Sequence, residues 1–332
     1  MKYLSVLKKY KKFYKNMQAP PFTINIEPTE GCNLGCSFCG LRGMREKGTK
    51  PWNFMTVETA ERIANEIQRV GWKAKIVFAN HGEPTLNPNF VEIVRIFRER
   101  LPKAVFHMYT NGIVYSNSKN VNKAVGDIFA AGMNNILVDC YTEKSFQFVE
   151  RLNHDNVVVL EPGVEYYTHK LEQRVLLLPS IESDSKNKAT RRLANHAGAA
   201  GPLDPSFNNK RCAMPFRELT FRWDGNVALC CDDFRGAYPI ANIHDMDIES
   251  IWNHPRFEAA RIMLYNYDRG FTPCDGCTNI SVRVGFLPDP SGKETLPKIT
   301  RKVRDLAQSV HRENGYLSPI IIKRPWEKED KD

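Results

Sequence analysis

The chain has 332 residues, 42% hydrophobic and 26% charged, enough to bury a substantial core in roughly two domains. No apolar run is long enough to cross a bilayer, and the N-terminus lacks the apolar region and cleavage site of a secretory signal, so a cytoplasmic protein is expected. A net charge of +9 fits an anionic substrate, a nucleic acid or an acidic redox partner without choosing among them.

Six lysines fall within the first 17 residues. Tyr3, Leu7, Tyr10, Tyr14 and Met17 recur opposite them at helical spacing, which predicts a basic helix over residues 1–20 docked on the domain surface. A membrane-surface or RNA-binding arm is the alternative. From residue 21 to 181, strand-like runs at 22–28, 73–80, 104–112, 134–142, 156–162 and 174–181 alternate with helical stretches at 56–71, 87–102, 118–133 and near 143–152. Thr56 opens a helix with Val57, Ala60, Ile63, Ala64 and Ile67 on one face, and Asn87-Pro88 opens the next. This β-α-β-α order implies a parallel sheet with outer helices, and six strands predict a partial α/β barrel. Chemistry in such folds gathers at the C-terminal strand ends, where the first cysteine loop, "NHGEP" and "YTNG" all lie. Residues 182–210 read as a polar linker and 211–282 as a small metal-organised unit with five cysteines. Residues 283–332 read as an extension with an amphipathic helix at 299–314 and a charged, disordered end.

Nine cysteines in a chain without a secretory signal argue for metal rather than disulfides. Only Cys140 stands alone, in a strand-like run, as a small buried hydrophobe. Cys32, Cys36 and Cys39 form C-x3-C-x2-C, one thiol short of a closed tetrahedral site. Two readings follow: a structural zinc site completed by a distant residue, or a [4Fe–4S] cluster that keeps one iron open.

"CNLGCSFC" resembles the signature of the radical S-adenosylmethionine (SAM) superfamily, with Phe38 at its aromatic position near the adenine. The resemblance implies that the SAM amino and carboxylate groups chelate the open iron, and that reductive cleavage releases a 5′-deoxyadenosyl radical. "HGEP" is similar to the family's Gly-Gly-Glu-Pro motif: Gly82, Glu83 and Pro84 match, and His81 stands where a glycine is usual. A glycine at position 82 would let backbone approach a ligand closely. Thr110 and Asn111 of "YTNG", and Asp139 at the next strand end, fall where the family contacts SAM.

Cys212, Cys230, Cys274 and Cys277 form a second group, with Cys231 beside Cys230. "ELTFRW" (218–223) turns at Asp224-Gly225 into "NVALCC" (226–231), a hairpin whose second strand sends Cys230 and Cys231 to opposite faces. Four cysteines with one C-x2-C fit a zinc ribbon as well as a cluster. The order resembles the shortened SPASM extension, or Twitch domain, behind many radical SAM cores. That resemblance implies an auxiliary [4Fe–4S] cluster on Cys212, Cys230, Cys274 and Cys277, Cys230 being chosen over Cys231 by its interval from Gly225. "LANHAG" (193–198) is similar to an Asn-x-Ala-Gly turn found before the first ligand.

Together the two resemblances imply oxidation of a small alcohol or aminocyclitol-like substrate, with the auxiliary cluster as electron acceptor and flavodoxin or ferredoxin as one-electron donor. Radical modification of a ribosomal peptide, nucleotide or RNA modification, and non-catalytic iron–sulfur or zinc binding are the alternatives. His81, Asp232 and Asp233 are candidate general bases, and the sequence selects none of them.

Overall fold

Successive side chains of a strand point to opposite faces, and here one face is apolar while the other mixes most of the polar residues with Val77, Leu137 and Leu176. Ile24, Ile26, Ile76, Phe78, Phe106, Met108, Ile136, Val138, Val175, Leu177, Leu219 and Phe221 join one large core with the helices. Their neighbours Asn25, Glu27, His107, Tyr109, Asn135, Asp139, Glu218, Thr220 and Arg222 take the other face. The chain thus buries one side of its sheet under helices and keeps the other for polar chemistry.

The computed structural model describes residues 19–36, 38–43, 52–153, 157–159, 172–178, 194–281, 299–308, 312–313 and 316–317. Most of the expected N-terminal basic helix, linker residues 182–193 and the charged C-terminal end lie outside the described residues.

The main sheet contains β1 (Thr23–Ile26), β2 (Lys75–Phe78), β3 (Phe106–Thr110), β4 (Asn135–Asp139), β5 (Val157–Val159), β6 (Arg174–Leu178), β7 (Glu218–Phe221) and β8 (Val227–Ala228). Their order is β8-β7-β1-β2-β3-β4-β6-β5, and every neighbouring pair is parallel except β7–β8. The six strands expected before residue 181 are present, and the sheet is an open, partial barrel. Two features were not anticipated. β5 lies outside β6 at the edge, and β7 of the cysteine-rich segment pairs with β1 in register Thr23↔Glu218 to Ile26↔Phe221. The hairpin therefore extends the main sheet and brings its cysteines to the β1 side.

Helices α1 (Val57–Val70), α2 (Phe90–Arg100), α3 (Ile113–Asn117) and α4 (Val121–Ala130) connect β1 to β4. Thr56 caps α1 by accepting a hydrogen bond from Thr59 N–H at 3.1 Å, and Gly71 ends it with φ +66°. Phe78 meets Phe90, Phe97 and Phe106 edge-on at 5.8, 5.4 and 5.7 Å, locking α2 onto β2 and β3. After α5 (Glu143–Phe146) and α6 (Met214–Arg217) come two consecutive helices, α7 (Ile248–Trp252) and α8 (Pro255–Tyr265). Pro255 takes the first position of α8, and the His254 ring accepts from Arg256 N–H.

Two expected spans are corrected. The strand predicted over 226–231 stops at Ala228, so the alternation rule does not govern Cys230 and Cys231, which sit in a bend. The helix predicted over 299–314 is α9 (Arg301–Ala307), and Arg312–Glu313 pairs instead antiparallel with Tyr316–Leu317.

Candidate active site

The first cysteine loop is fastened at its base before any ligand is considered. β1 leads through Glu27 to Thr29–Glu30, which pairs antiparallel with Asn53–Phe54. Gly31 then bridges Gly82: Glu83 N–H donates to Gly31 O at 2.8 Å and Gly31 N–H to His81 O at 3.3 Å. A Cβ on Gly82 would stand 2.0 Å from Thr29 O and 2.6 Å from Gly31 O. The close approach that requires this glycine is therefore to the chain's own backbone, one residue before Cys32.

Within the loop, Cys39 N–H donates to Cys36 O at 3.2 Å, making a turn between two of the thiols. Asn111 Nδ2 donates to Cys32 Sγ at 3.3 Å and to Asn33 Oδ1 at 2.7 Å, and Leu34 N–H donates to the same sulfur at 3.4 Å. Burial pushes the Cys32 thiol up to about 12, against the pull of these donors, and raises Cys39 too. Iron would favour the thiolate form of such buried sulfurs.

"HGEP" and "YTNG" are tied by one buried carboxylate. Glu83 Oε1 accepts from Thr85 N–H at 3.1 Å, Thr85 Oγ1 at 2.5 Å and Thr110 Oγ1 at 2.7 Å, while Oε2 accepts from Asn111 N–H at 2.7 Å. Burial raises the Glu83 pKa, and these four donors oppose the rise. Pro84 starts the short turn that follows. Gly82, Glu83, Pro84, Thr110 and Asn111 thus form one assembly against Cys32. Asp139 ends β4 near the same loop. Its carboxylate faces Tyr141, whose ring packs 5.1 Å from Phe38.

The second group is more enclosed. Cys212, Cys274 and Cys277 are buried, and burial raises all three thiols, Cys277 to about 11. Burial is also the largest influence on Cys230 and Cys231, although each residue keeps some exposed surface. The "LANHAG" turn packs against this group. Asn195 Nδ2 donates to Pro202 O and Gly276 O, both at 2.8 Å, and its Oδ1 accepts from Thr278 N–H at 3.0 Å. Among the described residues no three His, Cys, Asp or Glu side chains stand as a closed metal-binding group. Support for the clusters comes instead from donor chemistry, burial and the order of the cysteines.

Several residues between the two groups were not singled out in the sequence. Glu27 is fully buried at the end of β1, with His81 Nδ1 at 2.7 Å, Arg222 Nε at 3.6 Å and a hydrogen bond from Trp223 N–H at 3.1 Å. Arg222 also pairs with Glu30. His81 Nε2 lies 3.0 Å from the carbonyl of Cys231, so this cluster of charges clamps the barrel to the second cysteine group. Phe234 lies between the rings of His81 and His196, at 4.3 and 4.7 Å, and packs with Leu41 and Ala199 against Cys32 and Cys39. Glu27 had a signal, being a charge in phase with Asn25 and out of phase with Ile24 and Ile26. Phe234 and His196 had none, because their importance comes from a contact between distant segments.

Of the candidate bases, His81 is enclosed by Glu27, Cys231 and Phe234. Asp233 is held by N–H donors from Ala237 at 2.7 Å and Tyr238 at 2.9 Å. Asp232 Oδ1 lies 2.8 Å from Nδ1 of His196, whose side chain is 26% exposed, and Asn279 donates to its other oxygen. A cavity of about 430 Å³ opens between Phe38, beside Cys39, and Asn195, Leu203, Asp204 and Thr278, beside Cys277. Its lining includes sequence neighbours of Cys39 and Cys277 but none of the cysteines themselves. A groove of about 660 Å³ near Asn33, Thr85, Tyr115 and Asp127 has such a neighbour only for Cys32.

Comparison with known proteins agrees with this geometry. A family profile described as "Radical SAM superfamily" matches residues 26–142, and one described as "Iron-sulfur cluster-binding domain" matches residues 212–278. The chain is 23% identical over 263 residues to the S-adenosyl-L-methionine-dependent 2-deoxy-scyllo-inosamine dehydrogenase of Niallia circulans, covering 78% of this chain and 94% of that protein. It is 22% identical over 324 residues to a GTP 3′,8-cyclase of Vibrio cholerae, covering 93% and 89% respectively. Among solved structures, BtrN in complex with AdoMet and 2-DOIA shares its fold with a TM-score of 0.60 at 22% identity, over 79% of this chain and 95% of that one.

Proposed function

Because the chain belongs to the radical SAM superfamily and carries an iron–sulfur cluster-binding domain behind its barrel, we propose that it dehydrogenates a small alcohol of the aminocyclitol class. The observation that carries this reading is the joining of the two cysteine-bearing segments: β7 pairs with β1, and Phe234 and Ala199 pack against Cys32 and Cys39, so a radical source and an electron acceptor would stand on adjoining segments. Similarity to a 2-deoxy-scyllo-inosamine dehydrogenase over most of both chains supports the substrate class. We take residues 21–181 as the catalytic barrel and 211–282 as the auxiliary unit.

Cys32, Cys36 and Cys39 would hold a cluster that with SAM would supply hydrogen-atom abstraction chemistry, and Cys212, Cys230, Cys274 and Cys277 would hold a second cluster that would supply one-electron acceptance. The chain's own residues prepare this chemistry. Asn111 and Leu34 N–H hold Cys32, Glu83 joins the Gly82–Pro84 and Thr110–Asn111 segments, and Phe38 and Asp139 face the SAM side. His196, oriented by Asp232, takes the hydroxyl proton; loss of one hydrogen atom, one electron and this proton together converts alcohol to ketone. Flavodoxin or ferredoxin in the cytoplasm supplies the initiating electron. That compartment suits nine free cysteines, and among the described residues no helix is long and apolar enough to cross a membrane.

Anaerobic reconstitution should give about eight irons per chain for two cubanes. With 2-deoxy-scyllo-inosamine or related aminocyclitols, wild type should form 5′-deoxyadenosine and ketone together. Replacing Cys212 and Cys274 should leave SAM cleavage and abolish the ketone. Undiminished ketone from that variant rejects the electron-relay role, and 5′-deoxyadenosine without ketone from any aminocyclitol rejects the substrate class.

A further inference from the structure

Arg269 is 1% exposed and is among the largest fully buried side chains. Its guanidinium donates only to neutral carbonyls: Nε to Lys210 O at 2.8 Å, one terminal nitrogen to Cys277 O at 2.7 Å, and the other to Arg211 O at 3.1 Å and Asn279 O at 2.8 Å. These bonds satisfy the donors but leave the charge without an anion, and no carboxylate among the described residues lies at ion-pair distance. A buried charge without a counter-charge is costly even after the surroundings relax. The chain retains one here, so a compensating negative charge belongs nearby.

The surroundings identify its position. Arg269 binds the backbone immediately before Cys212 and at Cys277, and its charge acts on the thiols of both Cys212 and Cys274. The acidic residues of the neighbourhood are otherwise engaged: Asp232 with His196 and Asn279, Asp233 with Ala237 and Tyr238, and Asp268 with Arg304 at 3.0 Å. A four-thiolate iron–sulfur centre is net negative and gains a further negative charge on reduction. A fixed cation held by neutral carbonyls stabilises the reduced form more than the oxidised form.

We propose that Arg269 is the buried counter-charge of the auxiliary cluster, a positioning residue that raises its reduction potential so that it can accept the substrate's electron. This rests on the reading that Cys212, Cys230, Cys274 and Cys277 hold such a cluster. Asp232 and Asp233 oppose the effect, since both also act on the cysteines of this group. The potential reflects the balance, and Arg269 is the positive contribution.

The test is an anaerobic redox titration followed by electron paramagnetic resonance, with iron counted on wild type, R269Q and R269K. Wild type carrying about four irons instead of eight rejects the auxiliary cluster itself, separately from the role of Arg269. With eight present, R269Q should shift the auxiliary midpoint to more negative values, R269K should stay near wild type, and the SAM-binding cluster should be unmoved in both. R269Q with full iron and an unchanged auxiliary midpoint overturns the proposal. If R269Q cannot retain the auxiliary irons, R269K decides: it keeps the charge but loses the planar fork. Retention in R269K supports charge compensation, and equal loss in both variants overturns it.

Discussion

His81 Nδ1 and Glu27 Oε1 lie 2.7 Å apart with both side chains fully buried, at the position where the family's motif usually has glycine. The imidazole also reaches the carbonyl of Cys231, so this departure from the motif fastens the barrel to the auxiliary segment. Burial alone would raise the Glu27 pKa, but His81 and Arg222 outweigh it and hold the carboxyl below its ordinary value of 4.5. A depressed carboxyl contributes stability above its unfolded pKa and loses it as pH falls through the folded value. H81A should cost roughly 3 kcal/mol in anaerobic urea unfolding at neutral pH, because Glu27 loses one of its buried partners. E27Q should also destabilise at neutral pH and should flatten the loss of stability below pH 4.5. Unchanged acid-side dependence in E27Q would show that the pair carries no such linkage.

Gly82 is fixed by a collision rather than by a turn. A methyl group there meets the carbonyls of Thr29 and Gly31, both backbone, so no side chain can swing aside. G82A should lower stability by about 2–3 kcal/mol, at the upper end for overpacking, and displace the loop that begins at Cys32. Formation of 5′-deoxyadenosine should fall with it, while the auxiliary irons remain. Wild-type SAM cleavage by G82A would refute this account.

The parallel sheet, the capped α1 and the three polar motifs on one edge were legible because each depends on local period or spacing. Thr56 with Thr59, and the Ile24–Ile26 alternation, are examples. The pairing of β7 with β1 was hidden, since nothing in "ELTF" distinguishes a hairpin strand from one that also completes a distant sheet. The Glu83 assembly was half legible. Its motif could be recognised, but the bonds to Thr110 and Asn111 join segments 27 and 28 residues apart. Phe234 lay beyond any local rule, because its neighbours come from three separate stretches.

Cys230 and Cys231 divide their tasks in a bend where neither is forced outward. Cys231 N–H donates to Glu218 Oε1 at 2.8 Å and its carbonyl faces His81, so its backbone is an anchor, although its thiol also senses Cys212. The Cys230 thiol senses Cys274 and keeps the expected interval from Gly225. C230S should lose the auxiliary irons while keeping those of the first loop, and C231S should keep both sets. The reverse pattern in iron counts would transfer the ligand role to Cys231.

His196 is the remaining test of the proposed oxidation. Its backbone has φ +45°, and Ala197 follows at +53°, an uncommon conformation for residues with a Cβ, held by the Asn195 bonds to Gly276 and Thr278. That strain turns the ring toward Asp232 and against Phe234. With Nδ1 facing a carboxylate, Nε2 is the nitrogen available to take a proton, the geometry of an oriented base. Hydrogen-atom transfer does not need this base, but the step to ketone does. H196Q should therefore still form 5′-deoxyadenosine, with deuterium transferred from labelled substrate, while ketone formation falls by roughly 100-fold or more. D232N should act in the same direction through the orientation of the ring. If H196Q oxidised substrate at the wild-type rate with unchanged pH dependence, the base would be another group and His196 a structural element of the turn.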